Sequence, residues 1–240
     1  MSALTYKSTE KIRNMTAAGV FCALAYVACV LFRFHAGFLT FDLKDAVMTC
    51  AAMMFGPFYG IVMCVVVSVI EMVTISGTGL YGLIMNVLSS GTFVCVGSAI
   101  YSFRRTMKGA LVGMGCSVLA MTGVMMLANL IVTPFYMGVT AKDVAGMIPT
   151  TLLPFNLTKA VFNAALVFLI YQPISRAVRA AGFKSPLGAS VSAKDGEDPE
   201  KAKKRAIRTT VVTAAVAAAV AVCALLYFFH GLNGSFSFAK

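Results

Sequence analysis

The sequence contains no tryptophan and few acidic residues: nine Asp and Glu stand against 20 Lys and Arg. Charged residues make up only 12% of the chain, whereas about a quarter is usual in soluble domains. A net charge of +11 would suggest nucleic-acid binding in a soluble protein. Here the basic residues cluster between apolar runs, which is typical of signals that orient membrane proteins. The composition therefore argues against a soluble protein and against nucleic acid as a partner.

Sequence features of catalysis and energy conversion are also missing. The chain has no GxxxxGKS/T phosphate loop, no CxxC pair, no cluster of metal ligands and no nucleophile beside a base. Its seven cysteines lie almost entirely within apolar runs, where they are typical of small buried residues. His35 and His230 are isolated. The sequence thus predicts neither an enzyme nor a protein with a bound metal or cofactor.

Long apolar runs dominate what is present. Hydrophobic residues make up 59% of the sequence, and its mean hydropathy is +0.85. A run of about 20 apolar residues can cross the hydrocarbon core as a helix. The runs do not alternate between apolar and polar residues, as the strands of a membrane barrel would. The predicted fold class is therefore an all-α integral membrane protein, and the first run is predicted to be a retained helix rather than a signal peptide.

The number of spans follows from the apolar runs and the basic clusters. The run at 46–75 is too long for one comfortable span, and Gly56-Pro57 interrupts it. Dividing it into two helices, the first of them short, places the basic residues near the N-terminus and those at 104–108 on the same, cytoplasmic side. The predicted spans are 15–32, about 44–55, the rest of 46–75, 80–101, 109–133 (ending at Pro134) and 155–175. The predicted loops are 33–45, 76–80 and 134–153.

The chain changes character after the sixth span. Residues 1–175 are predicted to form a six-helix membrane domain, and 176–208 a basic, polar cytoplasmic linker. Residues 209–230 are apolar enough for an additional transmembrane helix, followed by a short tail at 231–240. This topology predicts a cytoplasmic N-terminus and an extracellular C-terminus.

Several polar residues lie inside apolar spans, where they are costly. All five are predicted to lie in the outer part of the bilayer: Glu71, Asn86, Asn129, Asn156 and Lys159. Each has an ordinary alternative, such as hydrogen bonding between helices or, for the lysine, reaching toward the surface. A shared, outward-facing cavity explains the five together. Phe38, Phe41 and Tyr81 are predicted near its mouth, although an interfacial aromatic belt explains them equally well.

Small residues recur on the first span. Gly19 and Ala23 form one pair four residues apart, and Ala25 and Cys29 form another. Such pairs allow a second helix to approach closely. The partner helix could belong to the same chain or to another subunit.

Three stretches of the sequence resemble one known family. They are FLTFDLKDAVMTCAAMMFGPFYG at 38–60, the SxxE of Ser68–Glu71, and IVTPFY with LLPFNLTKAVFN between 131 and 163. In this order they resemble the S components of energy-coupling factor (ECF) transporters, most closely the riboflavin-specific one. Two departures are the additional C-terminal helix and Ala46, which follows Asp45 where the family often has proline.

The resemblance implies a subunit that binds riboflavin and docks onto a transmembrane coupling subunit driven by two cytoplasmic ATPases. The implied ligand contacts are Glu71, Asn129, Asn156 and Lys159, with Leu39, Thr40 and Phe41 closing over the ligand. Tyr81 and Asn86 are added to this predicted site because of their positions near the predicted cavity, and not because of the resemblance. The implied contacts with the coupling subunit are Ala18, Gly19, Cys22 and Ala23.

Two alternatives stay open at this level. The same scaffold could bind FMN or another vitamin, although a phosphate-bearing ligand should need more cationic groups at the mouth than Lys44, Lys142 and Lys159. The chain could instead be a structural or assembly membrane protein whose polar residues only hold helices together.

Overall fold

The computed structural model describes residues 2–36, 39–103 and 105–180. Six longer helices, one short helix and a two-stranded hairpin make up this part of the chain. Their bounds are α1 Ser2–Leu31, β1 Phe34–Ala36, β2 Leu39–Phe41, α2 Lys44–Phe55, α3 Pro57–Thr74, α4 Gly79–Phe103, α5 Met107–Met137, α6 Ala141–Met147 and α7 Leu153–Ala180. One π-helical turn, Ile148–Leu152, joins α6 to α7. The predicted linker beyond residue 180, the seventh span and the tail lie outside the described residues.

The predicted all-α membrane fold is confirmed. Within the described part of the chain, five helical stretches are long and apolar enough to cross a membrane: Ile12–Leu31, Pro57–Thr74, Gly79–Phe103, Met107–Met137 and Ala141–Val178. They present large apolar side chains outward, as at Val73 and Leu119. In water such an apolar surface would promote aggregation, but in a bilayer it faces lipid tails of similar polarity.

Helix α2 is the exception, because it is the buried centre of the bundle. Its 12 residues span only about 18 Å, and all of them except Val47 are buried. It contacts α1, α3, α4 and α7. Small residues such as Ala51 and Ala52 let these helices approach, while the flexible side chains of Met48 and Met53 fill the remaining gaps.

The predicted break at Gly56-Pro57 is where α2 ends and α3 begins. Gly56 has a φ of 111°, a conformation that is open to glycine and unfavourable for other residues. Pro57 occupies the first turn of α3, where its missing N–H costs nothing. Helices α2 and α3 pack closely at this break, because a Cβ atom at Gly60 would lie 2.8 Å from the Cβ of Ala52.

Three predicted boundaries were wrong. Helix α5 passes through Pro134 and ends at Met137, where it is capped by Gly138 with a left-handed φ of 67°. The predicted loop at 134–153 instead contains α6, which starts at a capping box between Thr140 and Asp143. Helix α7 extends to Ala180 rather than ending at 175.

The predicted loop at 33–45 was also too simple. Strands β1 and β2 form an antiparallel hairpin in which Phe34 pairs with Phe41, and α2 already begins at Lys44. This hairpin, the turn between α3 and α4, and α6 mark one end of the bundle, which we call the hairpin end.

The two small-residue pairs on α1 face different surroundings. Ala25 and Cys29 are fully buried against the rest of the bundle, so their partner is this chain. Gly19 and Ala23 lie on the exposed side. Ala18, predicted as part of the same contact surface, is only 8% exposed and packs in the core, so its side chain is not available on that surface.

Candidate functional site

A cavity of about 300 Å³ opens at the hairpin end of the bundle. Its wall is built from Arg33, which lies between α1 and β1, and from strand β2, α3, the turn at 76–78, α4, α5 and α7. The volume is at the lower limit of the range, about 300 to 1,000 Å³, that is common for small-molecule sites. Seven of the nine residues predicted for the binding site line it: Thr40, Glu71, Tyr81, Asn86, Asn129, Asn156 and Lys159.

The other two predicted residues, Leu39 and Phe41, belong to β2 beside the cavity. Phe41 is not among the lining residues. Its ring lies 6.4 Å from that of Phe155, edge to face, and 5.1 Å from that of Phe162. Since Phe155 does line the cavity, Phe41 supports the wall from behind. Leu39 pairs with Ala36 in the hairpin.

The asparagines present two different situations. Asn129 is satisfied within α5: its amide nitrogen donates to the carbonyl oxygen of Met125 at 2.7 Å, and its oxygen accepts from Thr133 Oγ1 at 2.9 Å. The amide nitrogen of Asn156 donates to the carbonyl oxygen of Leu152 at 2.8 Å. Among the described residues no donor engages its Oδ1, so this oxygen can accept a hydrogen bond from a ligand.

A buried ionic network lies beside the cavity. Lys159 Nζ is 3.0 Å from Asp42 Oδ2, and Lys44 Nζ is 3.7 Å from the same oxygen. Lys44 also forms a short ion pair with Glu71, whose other oxygen lies 3.8 Å from Arg33 Nη2. The network ties the hairpin segment, α2, α3 and α7 together.

Burial of so many charges is tolerable only because they are paired. Burial alone would raise the pKa of the Asp42 carboxyl group, but the ammonium groups of Lys159 and Lys44 hold this pKa below its usual value. Asp42 therefore stays ionised near neutral pH. Asp45, also fully buried, accepts a hydrogen bond from the Ser90 hydroxyl.

The position of Lys44 corrects the sequence analysis. It was counted among the cationic groups of the mouth, yet it is fully buried and lies beneath the cavity. Glu71 and Lys159 are connected through Lys44 and Asp42.

Sequence reasoning missed several lining residues. Arg33, Ser89 and Met125 contribute to the wall, and none of them was singled out. Helical spacing would have found two of them, because Ser89 lies three residues from Asn86 and Met125 lies four residues from Asn129. Nothing local distinguishes Arg33 from the other basic residues that end membrane helices.

The wall combines apolar and polar surface in a way that suits a flat ligand with a polar edge. Met85, Met125 and Phe155 provide apolar area, and Tyr81 and Tyr136 have ring centroids 6.4 Å apart. The amide and charged groups can fix the orientation of a ligand through hydrogen bonds. Such a wall is suited to binding.

A sequence profile described as "ECF transporter, substrate-specific component" matches residues 13–171. This chain belongs to that family. It is therefore a substrate-binding component of a membrane transporter, as its resemblance to S components predicted.

This S component is similar to a known transporter and to a solved structure. It is 25% identical over 144 residues to the riboflavin transporter RibU of Staphylococcus aureus (strain TCH60), a match that covers 58% of this chain and 76% of that protein. Its fold is similar to that of a solved S component of a bacterial ECF transporter, with a TM-score of 0.60 and 24% identity. That similarity covers 70% of this chain and 99% of the solved one.

Proposed function

We propose that this S component captures riboflavin in the cavity at the hairpin end. The observation that carries the proposal is the convergence of Asn129, Asn156 and Lys159 on one cavity with apolar walls. The relationship to a riboflavin transporter supports the choice of ligand. The alternative of a purely structural membrane protein loses its support, because the family consists of substrate-binding components.

The chemistry of riboflavin matches this wall. Its ring system is flat and largely apolar, so it can lie against Met85, Met125 and Phe155. Its polar edge carries carbonyl groups and a ring N–H, which asparagine can pair with because an amide both donates and accepts. We assign the ring N–H to Asn156 Oδ1 and a ring carbonyl to Lys159.

The charge distribution supports an orientation for the bundle. Basic residues cluster at the N-terminus of α1 and between α4 and α5, which is the end opposite the hairpin. The positive-inside rule then places that end in the cytoplasm and the hairpin end outside. The cavity would open to the extracellular side, as a capture site requires.

Transport would need other subunits. We propose that a transmembrane coupling subunit and two cytoplasmic ATPases supply the motion and energy, as the family relationship implies. The exposed Gly19 and Ala23 on α1, with the half-buried Cys22, are the surface on which the coupling subunit would dock.

The test is riboflavin binding by the purified full-length protein, followed through quenching of flavin fluorescence. We expect sub-micromolar affinity for riboflavin and no competition from an excess of thiamine or biotin. The Asn156→Ala/Lys159→Ala double variant should lose binding, whereas Lys142→Ala, which changes an exposed lysine on α6, should not. Absence of riboflavin binding by the unaltered protein would reject the proposal.

A further inference from the structure

Asp45 is a buried acid to which the ionic network gives no cation. It lies in the first turn of α2 and is fully buried. Its Oδ1 accepts a hydrogen bond from Ser90 Oγ at 2.5 Å, whereas its Oδ2 has no hydrogen-bond partner among the described residues. None of the ion pairs formed by those residues includes Asp45. A carboxylate buried in this state would be very unfavourable, and such groups usually become neutral instead.

The two lysines of the network are paired with other acids. Lys159 Nζ lies 3.0 Å from Asp42 Oδ2. Lys44 forms its close ion pair with Glu71, and its second contact, at 3.7 Å, is again with Asp42 Oδ2. Both ammonium groups are therefore held by carboxylates other than Asp45.

A neutral Asp45 would leave one cation in excess, and that cation lies at the edge of the network. Arg33 lines the cavity, and 14% of its side-chain surface is exposed. Its Nη2 lies 3.8 Å from Glu71 Oε1. Water in the cavity can solvate a guanidinium group at this position, whereas Asp45 has no exposed surface. An unbalanced charge is therefore less costly on Arg33 than on Asp45.

Acceptor oxygens near the start of α2 lack a donor. Asp42 precedes Asp45 by three positions, and its charge acts on Asp45 more strongly than that of either lysine. Although Asp42 Oδ2 pairs with Lys159, its Oδ1 has no partner in the described part of the chain. Asn163 Oδ1 is likewise without a donor there, while its Nδ2 donates to the backbone oxygen of Asp42 at 3.4 Å. A protonated carboxyl group would supply a donor at this place.

The helices packed around α2 offer no other counter-charge. These are α1, α3, α4 and α7. Helices α1 and α3 contribute the buried thiols of Cys29 and Cys64, which carry no positive charge. Helix α3 also contributes Glu71, α7 the paired Lys159, and α4 the hydroxyl group of Ser90. A proton is therefore the simplest means of neutralising the remaining carboxylate.

We propose that Asp45 is a buried proton-binding site, in which the proton is held on Oδ2 and donated toward the free Oδ1 of Asp42. The proton is taken from water as the bundle folds, which converts the carboxylate into a neutral acid. Asp42 keeps its other oxygen for Lys159, which lines the cavity. Asp45 thus acts as a positioning residue, because its proton keeps a second negative charge away from the Asp42–Lys159 pair. The inference goes beyond the proposed function and does not require the ligand to be riboflavin.

The direct test is the infrared spectrum of the purified full-length protein at neutral pH. A protonated carboxyl group has a C=O stretching band that is separate from the bands of carboxylates. We expect this band in the unaltered protein and its loss in Asp45→Asn. Ser90→Ala should shift the band, because it removes the hydrogen bond to Asp45 Oδ1. Asp143→Asn, which changes an exposed acid of α6, should leave the band in place.

The same substitution at the two buried aspartates should have opposite effects on stability. Asp45→Asn replaces a neutral acid by a neutral amide of similar shape that still offers a donor. Its unfolding midpoint should be unchanged, and its riboflavin affinity should stay within about threefold of that of the unaltered protein. Asp42→Asn removes the partner of Lys159 and should lower the midpoint clearly.

Two results would overturn the proton site. One is the loss of a carboxylate band, instead of a protonated-carboxyl band, in Asp45→Asn, since Asp45 would then be ionised. The other is a fall in the unfolding midpoint of Asp45→Asn as large as that of Asp42→Asn, or a failure of Asp45→Asn to fold, because a neutral amide should replace a neutral acid. Failure of the unaltered protein to bind riboflavin would reject the proposed function, while the infrared and unfolding results would still decide the state of Asp45.

Discussion

Lys159 Nζ lies 3.0 Å from Asp42 Oδ2, although the two residues are 117 positions apart in the chain. Lys159 is in the second turn of α7, and Asp42 connects the hairpin to α2. Both side chains are buried. The pair therefore fixes the hairpin segment against α7 next to the cavity that Lys159 lines. It links the stability of the bundle to the shape of the proposed site.

Replacing Lys159 with methionine should reduce both stability and binding. Removal of one partner leaves the buried Asp42 with Lys44, 3.7 Å away, as its one cation among the described residues, and such losses cost about 3 kcal/mol. We expect a lower midpoint of thermal unfolding, followed with a thiol-reactive dye, because buried cysteines such as Cys50 become accessible on unfolding. Lys142→Met, on the exposed surface, is the control and should leave the midpoint unchanged.

The double variant Asp42→Asn/Lys159→Met separates the two effects. With both charges gone, no unpaired charge remains between them, and the unfolding midpoint should recover part of the loss. Riboflavin affinity should not recover, because the ammonium group is still missing from the cavity wall. Recovery of full affinity would contradict the role assigned to Lys159.

Asn129 and Asn156 are expected to respond differently to truncation. Asn129 is hydrogen-bonded at both ends of its amide within α5, so Asn129→Ala should lower the unfolding midpoint, at a cost of about 1 kcal/mol or more. Asn156 retains an accepting oxygen for a ligand, so Asn156→Ala should mainly weaken riboflavin binding, by about tenfold. Binding and unfolding measured on both variants would check this, and identical behaviour of the two would contradict it.

The sequence predicted the positions of the helices better than it predicted which charged side chains are buried. The break at Gly56-Pro57 and the short, sunken α2 followed from local rules about proline, glycine and span length. Burial of Lys44 could not be predicted in this way, because it depends on Glu71, which lies 27 residues away on α3. A local window shows only a charged segment, and such segments usually form loops.

The limits of local sequence rules also explain the predicted helix boundaries that were wrong. Proline at position 134 predicted a helix end, but α5 continues through it to Met137, and the N–H of Gly138 donates to the carbonyl oxygen of Pro134. The residues lining the cavity were predicted more successfully, because polar side chains within apolar spans are rare and usually face inward. Arg33 escaped notice because basic residues are common at the ends of membrane helices.

Glycines in two helices should respond in opposite ways to an added methyl group. Gly60→Ala places a Cβ 2.8 Å from Ala52 and Val94, which should destabilise the α2–α3 return by about 1 to 3 kcal/mol. At Gly123, on the exposed side of α5, no atom of the described residues lies within 4 Å of such a Cβ, so Gly123→Ala should be neutral or slightly stabilising. Thermal unfolding of the two variants, side by side, is the measurement. Equal destabilisation by both would contradict the close packing of α2 and α3.

Substitutions on the two faces of α1 should separate docking from folding. Gly19→Leu adds a bulky side chain to the exposed face, where an added Cβ atom meets nothing within 4 Å among the described residues. We expect unchanged riboflavin binding and an unchanged unfolding midpoint, but loss of co-purification with the coupling subunit when the subunits are expressed together, because small residues allow close approach of helices.

Ala25→Leu is the matched change on the buried face, where Ala25 is fully enclosed. It should lower the unfolding midpoint, since overpacking costs about 1 to 3 kcal/mol. A surface that only faces lipid would tolerate the larger side chain of Gly19→Leu without consequence, because leucine and lipid tails are equally apolar. Retained co-purification and retained riboflavin uptake in that variant would therefore place the docking surface elsewhere on the bundle.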